Sequence, residues 1–136
     1  MKKVVMAFGT FDIFHKGHKS YLKQAKMLGD KLIVIVARDK TIELIKKQKP
    51  VNGEQERVLA VKNSKIADEV ILGSLKNKYA VIKKYRPDII ALGYDQKANL
   101  AELKEKLKEF KLQTKIVRLK SYKPEIYKSS KLKNKT

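Results

Sequence analysis

Two histidines near the start of the chain stand at a spacing that suits phosphate chemistry. The segment 9–18 leaves an apolar run, enters a helical pattern and places His15 and His18 on either side of Gly17. Glycine lets the backbone approach a ligand closely, and the free N–H groups at a helix N-terminus attract anions. Thr10 adds a hydroxyl at the same turn. These residue types predict a site in which both imidazoles face one phosphate group.

Other chemistries that histidines support fit this sequence less well. Two histidines without a cysteine, or without a glutamate placed as in a zinc-protease helix, do not complete a tetrahedral metal site. The chain contains no cysteine, which excludes thiolate metal sites, disulfides and cysteine nucleophiles. No serine follows a strand in the sharp turn that a hydrolase triad needs. We therefore predict no metal site built from protein ligands.

Apolar runs alternate with helical patterns along the 136 residues. Five short apolar runs predict strands buried on both faces of a parallel sheet, and the segments between them carry apolar residues at helical spacing. The predicted fold class is α/β, a single Rossmann-like domain with a five-stranded parallel sheet and helices on both faces. The predicted strands are 3–8, 32–37, 70–72, 89–92 and 115–119, and the predicted helices are 18–28, 41–46, 54–64, 78–85 and 100–110.

The predicted sheet also locates the site. In open α/β sheets, ligands bind outside the carboxyl ends of the strands. We therefore expect the functional residues in the loops that follow the first, second and fourth strands, at 9–18, 37–47 and 93–96.

The chain is strongly basic, with 33 Lys and Arg against 14 Asp and Glu and a net charge of +19. Only four of these cations are arginines, whereas the reading of base edges favours the planar guanidinium group. Dispersed lysines attract polyanions without reading a sequence, so we predict non-specific RNA binding at low salt and no specific nucleic-acid partner. No apolar run is long enough to span a bilayer, and we expect a cytoplasmic protein that does not bind membranes.

The histidine segment resembles the signature of a known enzyme superfamily. Residues 9–18, Gly-Thr-Phe-Asp-Ile-Phe-His-Lys-Gly-His, are similar to the signature of the cytidylyltransferase-like nucleotidyltransferases, and 36–39, 54–57 and 71–73 resemble that family too. Residues 91–96, Ala-Leu-Gly-Tyr-Asp-Gln, resemble the archaeal-type FAD synthases within it. Glycerol-3-phosphate cytidylyltransferases typically carry Gly-Asp-Asp-Trp at this place.

The resemblance implies a reaction and roles for the residues of the signature. An acceptor phosphate would attack the α-phosphate of a nucleoside triphosphate, and pyrophosphate would leave. His15 and His18 would be catalytic, since they would stabilise the charge that develops on the α-phosphate. Phe11 would act largely through its backbone. The residues of this segment that would bind the nucleotide are Thr10, Phe11, Lys16 and Gly17.

Further site residues follow from the same resemblance. Gly93, Asp95 and Tyr122 would bind the nucleotide, although packing explains Tyr122 equally well. The tail keeps two serines of the family pattern but has lysine for a further serine. For Lys46 and Lys47 the alternative to a phosphate contact is solvated surface charge, and for Arg57 it is a helix cap. The candidate phosphate-binding residues are Lys46, Lys47, Arg57, Ser129 and Ser130.

The resemblance also implies substrates and partners. We expect ATP and FMN as substrates, a divalent cation such as Mg²⁺ brought with the nucleotide, and a homodimer. Residues 1–120 would form the nucleotidyltransferase domain, and the Lys-rich tail 121–136 would complete the nucleotide site.

Three alternatives stay open. The first is a CTP-dependent cytidylyltransferase that acts on a polyol phosphate such as glycerol 3-phosphate. The second is a nucleic-acid-binding module, which would leave His15 and His18 unexplained. The third is a non-catalytic nucleotide sensor, which release of pyrophosphate would separate from an enzyme.

Overall fold

Strands and helices alternate along the chain in the computed structural model, which describes residues 2–94, 96 and 99–121. The strands are β1 (Val4–Gly9), β2 (Lys31–Val36), β3 (Glu69–Leu72), β4 (Ile89–Leu92) and β5 (Lys115–Arg118). The helices are α1 (Lys16–Lys26), α2 (Asp39–Lys46), α3 (Glu54–Asn63), α4 (Ala80–Tyr85) and α5 (Leu100–Glu109). Each predicted strand and helix is present, with its ends shifted by no more than a few residues.

The strands form one parallel sheet in the order β3-β2-β1-β4-β5. Alternate residues of each strand point to opposite faces, and both faces are covered. One core contains Val5 and Ala7 of β1 together with apolar side chains of α1 and α3. The other contains Met6 of β1 together with apolar side chains of α4 and α5. The predicted α/β fold, with helices on both faces of a parallel sheet, is therefore confirmed.

The winding of the chain creates a crevice at the carboxyl edge of the sheet. From the central β1, the chain steps outward to β2 and β3, and then crosses to β4 and β5 on the other side. The helices of the two halves therefore cover opposite faces, as right-handed crossovers require. The loops after β1 and β4 diverge at this point, which is where such sheets bind ligands.

None of the helices in the described residues is both long and apolar enough to cross a membrane.

Candidate active site

The loop that leaves β1 is bent back on itself at Phe11. Phe11 has a φ of 53°, a left-handed conformation that is costly for a residue with a side chain and is concentrated at functional sites. Phe11 as a whole is 3% exposed, and its ring lies against Gly9, where an added Cβ would stand 2.6 Å from the ring. Gly9 is needed here because a side chain would displace the ring. The burial of Phe11 assigns its ring to the packing of the loop.

His15 and His18 cap the first turn of α1 with their own imidazoles. The Nδ1 atom of His15 accepts the N–H of Gly17 at 3.0 Å, and the Nδ1 atom of His18 accepts the N–H of His15 at 3.3 Å. This is a capping box, in which serine or threonine and glutamate or glutamine usually supply the acceptors. The helix begins at Lys16, two residues before the predicted start, because the imidazoles satisfy N–H groups that are otherwise unpaired.

The caps also set the chemical state of the two rings. The rings are stacked, with their centroids 4.0 Å apart. Because each Nδ1 accepts an N–H, the proton of each neutral ring lies on Nε2. Burial lowers the pKa of His15, and burial together with the charge of His15 lowers the pKa of His18 to about 4. Near neutral pH the site therefore holds two uncharged imidazoles whose Nε2–H groups are hydrogen-bond donors.

Arg57 joins the exits of β1 and β2 from within the protein. Its guanidinium group donates to the carbonyl oxygens of Thr10 at 2.9 Å and Ala37 at 2.6 Å. It also donates to the carboxylate of Asp39 at 2.7 Å and the carbonyl oxygen of Asn52 at 3.0 Å. The side chain is 1% exposed. The sequence predicts a phosphate contact or a helix cap for Arg57. In the structure its guanidinium group is buried and donates its hydrogen bonds to protein oxygens, which link the exits of β1 and β2.

Asp12 fixes the same loop to the segment that precedes α3. Its carboxylate accepts the N–H groups of Val51 at 2.9 Å and Asn52 at 2.8 Å. The side-chain amide of Asn52 donates back to the carbonyl oxygen of Asp12. The Asp of the signature is therefore a residue that holds the loop in place.

A cavity of about 270 Å³ opens at the carboxyl edge, beside Thr10. Arg38 and Lys78 bring positive charge to it. The Nε of Arg38 donates a hydrogen bond of 2.7 Å to the carbonyl oxygen of Gly73, which holds the side chain in place. Cations and hydroxyl groups together suit a phosphate ester. The cavity is lined by Phe8, Gly9, Thr10, Ile35, Ala37, Arg38, Thr41, Gly73, Ser74, Lys78 and Gln96.

Gly93 follows β4 and faces a neighbouring side chain. A Cβ added to it would stand 3.3 Å from the Cγ of Gln96. Gln96 folds back over Gly93, and the close approach of a nucleotide to Gly93 stays a prediction.

The remaining predicted residues fall into three groups. Residues 10–18 come together in one loop and the start of α1. Lys46 ends α2 and Lys47 caps it with a φ of 55°, both exposed and away from the lining of the cavity, which fits solvated surface charge. The predicted site residues outside the described part of the chain are Asp95, Tyr122, Ser129 and Ser130.

Some cavity residues have a weak signal in the sequence or none. Arg38 is the second residue after β2, and Ser74 follows the glycine after β3, so the strand-end rule points to both when it is applied to every strand. Lys78 is one lysine among many, and no local pattern distinguishes it.

The described side chains do not fit a resident Mg²⁺ ion. Within residues 2–94, 96 and 99–121, no three His, Asp or Glu side chains come together as a metal site. The convergent groups of the β1 loop are imidazole nitrogens, whereas Mg²⁺ prefers oxygen ligands.

Known proteins are similar to this chain in sequence and in fold. The model of the family described as cytidylyltransferase-like matches residues 6–135. The FAD synthase of Thermococcus sibiricus is 44% identical over 134 residues, which are 96% of this chain and 90% of that protein. The FAD synthase of Methanothermus fervidus is 49% identical over 121 residues, which are 87% and 83% of the two.

A solved structure agrees with the fold described above. The crystal structure of the lipopolysaccharide core biosynthesis protein from Thermoplasma volcanium has a TM-score of 0.84 and 42% identity, and the match covers 90% of this chain and 99% of that one. With its histidine-capped helix at the edge of a parallel sheet, and with similarity along most of its length, this chain belongs to the cytidylyltransferase-like family.

Proposed function

We propose that this protein transfers AMP from ATP to FMN and releases FAD and pyrophosphate. The observation that carries the proposal is the pair of neutral imidazoles at the N-terminus of α1. The FAD synthases similar to this chain support FMN as the acceptor, since the similarity extends over most of their length.

The geometry accounts for the transfer step. An oxygen of the FMN phosphate forms a bond to the α-phosphorus of ATP while the bond from that phosphorus to the pyrophosphate oxygen breaks, so negative charge develops on the phosphoryl oxygens. The Nε2–H groups of His15 and His18 donate to those oxygens, and the positive end of the α1 dipole adds to them. The acceptor phosphate is already ionised near neutral pH and needs no general base.

The divalent cation belongs to the substrate in this proposal. Phosphate oxygens of ATP hold Mg²⁺, which neutralises charge on the triphosphate. Arg38 and Lys78 line the cavity next to Thr10 and supply further positive charge for phosphate groups.

The remaining assignments rest on the family resemblance. We assign nucleotide contacts to Thr10, Lys16 and Gly17, to the backbone of Phe11, and to Asp95 and Tyr122; Ser129 and Ser130 would meet a phosphate. On this proposal residues 121–136 complete the nucleotide site of domain 1–120. Homodimerisation and a cytoplasmic location stay predictions.

One observation favours a second candidate function. The family that matches this chain is named for cytidylyl transfer, so a CTP-dependent transfer to a polyol phosphate is the competing reaction. A substrate panel decides between them: ATP or CTP with FMN, glycerol 3-phosphate or pantetheine phosphate, each with Mg²⁺. Of these pairs, we expect only ATP with FMN to react, giving FAD and an equal amount of pyrophosphate. Flavin chromatography and a pyrophosphate assay measure the two products. The proposal fails if FAD does not form while CTP and glycerol 3-phosphate release pyrophosphate.

A further inference from the structure

The ladder between β1 and β4 ends before the strands do. Its pairs run from Val5 with Ile89 to Ala7 with Ala91. Beyond them, Phe8 and Gly93 border the crevice where the chain winds to opposite faces of the sheet, which is the position at which α/β sheets bind ligands. Side chains bridge the two strand exits here in place of backbone hydrogen bonds.

Two side chains make these bridges. The hydroxyl of Tyr21 accepts the N–H of Phe8 at 3.1 Å and donates to the carbonyl oxygen of Ala91 at 2.8 Å. Farther along, the Nε2 of Gln96 donates to the carbonyl oxygen of Phe8 at 2.6 Å, and its Oε1 accepts the N–H of Gly93 at 2.7 Å. Both polar atoms of the Gln96 amide are therefore used to join the exits of β1 and β4.

Gln96 also closes its own loop. Its backbone N–H donates to the carbonyl oxygen of Gly93 at 3.2 Å. From β5, Nη1 of Arg118 donates to the carbonyl oxygens of Gly93 at 2.8 Å and Gln96 at 2.6 Å. The loop after β4 is thus joined to β1 through one amide and to β5 through one guanidinium group.

We infer that Gln96 is a positioning residue that holds the loop after β4 in register with the loop after β1. The β1 loop carries Thr10 and the histidine pair, and the β4 loop carries Asp95, the proposed nucleotide-binding residue. A nucleotide that contacts both loops needs them at a fixed separation, because a misplacement of about 1 Å costs about a hundredfold in rate. This inference rests on the proposed nucleotide site and is independent of FMN as the acceptor.

The bridge requires a side chain that donates and accepts at once. In a Q96E variant, the ionised carboxylate still accepts from Gly93, but it has no hydrogen for the carbonyl oxygen of Phe8. Its protonated form restores that donor with the shape of the original amide. The cations on this side are Arg118 from β5, which donates to the backbone of the loop, and Arg38 and Lys78 at the cavity. Arg38 is paired with Glu54 at 3.4 Å and Lys78 with Glu102 at 3.6 Å, so two carboxylates belong to the same surroundings. These cations oppose the effect of burial, so we expect the introduced group to titrate at weakly acidic pH.

The experiment compares nucleotide binding across pH in the full chain. The dissociation constant of Mg·ATP is measured by calorimetry from pH 5 to pH 8 for the wild type, Q96E, Q96L and Q113E, and with Mg·CTP in parallel. Gln113 is exposed and precedes β5 at the opposite edge of the sheet, so Q113E is the matched charge control. We expect Q96E to bind about tenfold or more weakly than the wild type at pH 8, because the carbonyl oxygen of Phe8 loses its donor, and to approach it at pH 5. Q96L should bind weakly at every pH, and Q113E should follow the wild type.

Two results would overturn the inference. In one, the ratio of Q96E to wild-type affinity stays constant across the pH range or equals that of Q113E. In the other, circular dichroism shows that the folded fraction of Q96E is lost in parallel with binding, which assigns Gln96 to stability alone. If the wild-type chain binds nucleotide but forms no FAD, FMN is not its acceptor. The nucleotide affinities of the variants still test the role of Gln96 in that case.

Discussion

His15 and His18 each use one ring nitrogen to cap α1, and on the proposed function the other donates to a phosphate. Their Nδ1 atoms accept backbone N–H groups of the first turn of α1, which fixes the rings and leaves the Nε2 atoms as donors. A serine or glutamate cap would satisfy the same N–H groups but would offer no donor to a phosphate. Histidine at both positions therefore combines a stable helix start with a pair of oriented N–H groups.

The first prediction separates the two roles of His18. An H18N variant keeps an oxygen that can accept the N–H of His15, but it has no atom in the place of Nε2. We expect kcat to fall about a hundredfold or more, as for the loss of one preorganised donor, with little change in KM for ATP. Both H18N and H18A lose the ring that packs on Phe11 and Phe14 at 5.4 and 5.6 Å between centroids, but only H18A also loses the acceptor for the N–H of His15. H18A should therefore lower Tm more than H18N. Steady-state pyrophosphate release and thermal unfolding measure these effects; near-normal kcat in H18N would show that His18 is structural only.

The second prediction concerns the titration of His18. Its pKa is lowered from 6.5 to about 4 in the folded chain, so between these values the unfolded chain binds more protons than the folded one. Stability from the neutral ring is therefore complete above pH 6.5 and is lost as the pH falls toward 4. Relative to H18N, we expect the wild type to lose up to about 3 kcal/mol of unfolding free energy over this interval. Urea unfolding of both proteins from pH 7 to pH 4 tests it, and parallel pH profiles would contradict the lowered pKa.

At the scale of elements, the exits of β1 and β2 depend on α3. Arg57 of α3 has a fully buried guanidinium group, which donates hydrogen bonds to carbonyl oxygens at both strand exits. Removing one partner from a buried charged network lowers the free energy of unfolding by more than the whole network adds to it. The reason is that the other polar groups stay buried without partners. The position of Thr10 at the site is therefore coupled to the packing of a helix.

The third prediction tests this coupling with a conservative change. The R57K variant keeps the charge, but one ammonium group cannot reach the four oxygens that the guanidinium group contacts. We expect a loss of about 3 kcal/mol in unfolding free energy and weaker nucleotide binding, measured by urea unfolding and calorimetry. R86K at an exposed arginine is the control and should change stability by about 0.5 kcal/mol or less. Equal urea midpoints for R57K and the wild type would refute the role of Arg57.

At the scale of the whole molecule, the net charge of +19 surrounds a site that binds anions. Spread over many lysines, this charge raises the local concentration of any polyanion and is screened over about 8–10 Å at physiological salt. Attraction by the surface as a whole and binding at the site should therefore respond differently to ionic strength.

The fourth prediction uses that difference. We expect fluorescently labelled poly(U) to bind at 50 mM salt and to lose at least about a hundredfold in affinity by 200 mM, because each phosphate contact releases counterions. The affinity for Mg·ATP should change much less over the same interval, since oriented donors and a cavity also contribute to it. Fluorescence anisotropy and calorimetry give the two salt dependences. RNA binding that persists at 200 mM salt would instead indicate a specific interface and contradict this prediction.

The sequence by itself determined the strands, the helices and the location of the histidine loop. These features follow from local patterns: short apolar runs, helical spacing, and a signature of ten consecutive residues from Gly9 to His18. They were predictable because hydrophobic periodicity and capping act between residues close in the chain. Even the early start of α1 rests on residues three apart, although imidazole caps are too uncommon to be expected from the pattern.

Only the tertiary structure decided which side chains hold the site together. Gln96 and Phe8 are 88 positions apart, and Arg57 and Thr10 are 47 apart, so no local pattern distinguishes a buried junction from a phosphate ligand. The burial that lowers the pKa of His18 includes its contact with the ring of Phe11, which folds over Gly9. Such contacts form when the strand order brings distant loops to one edge of the sheet, and their chemistry depends on desolvation, which the folded core alone determines.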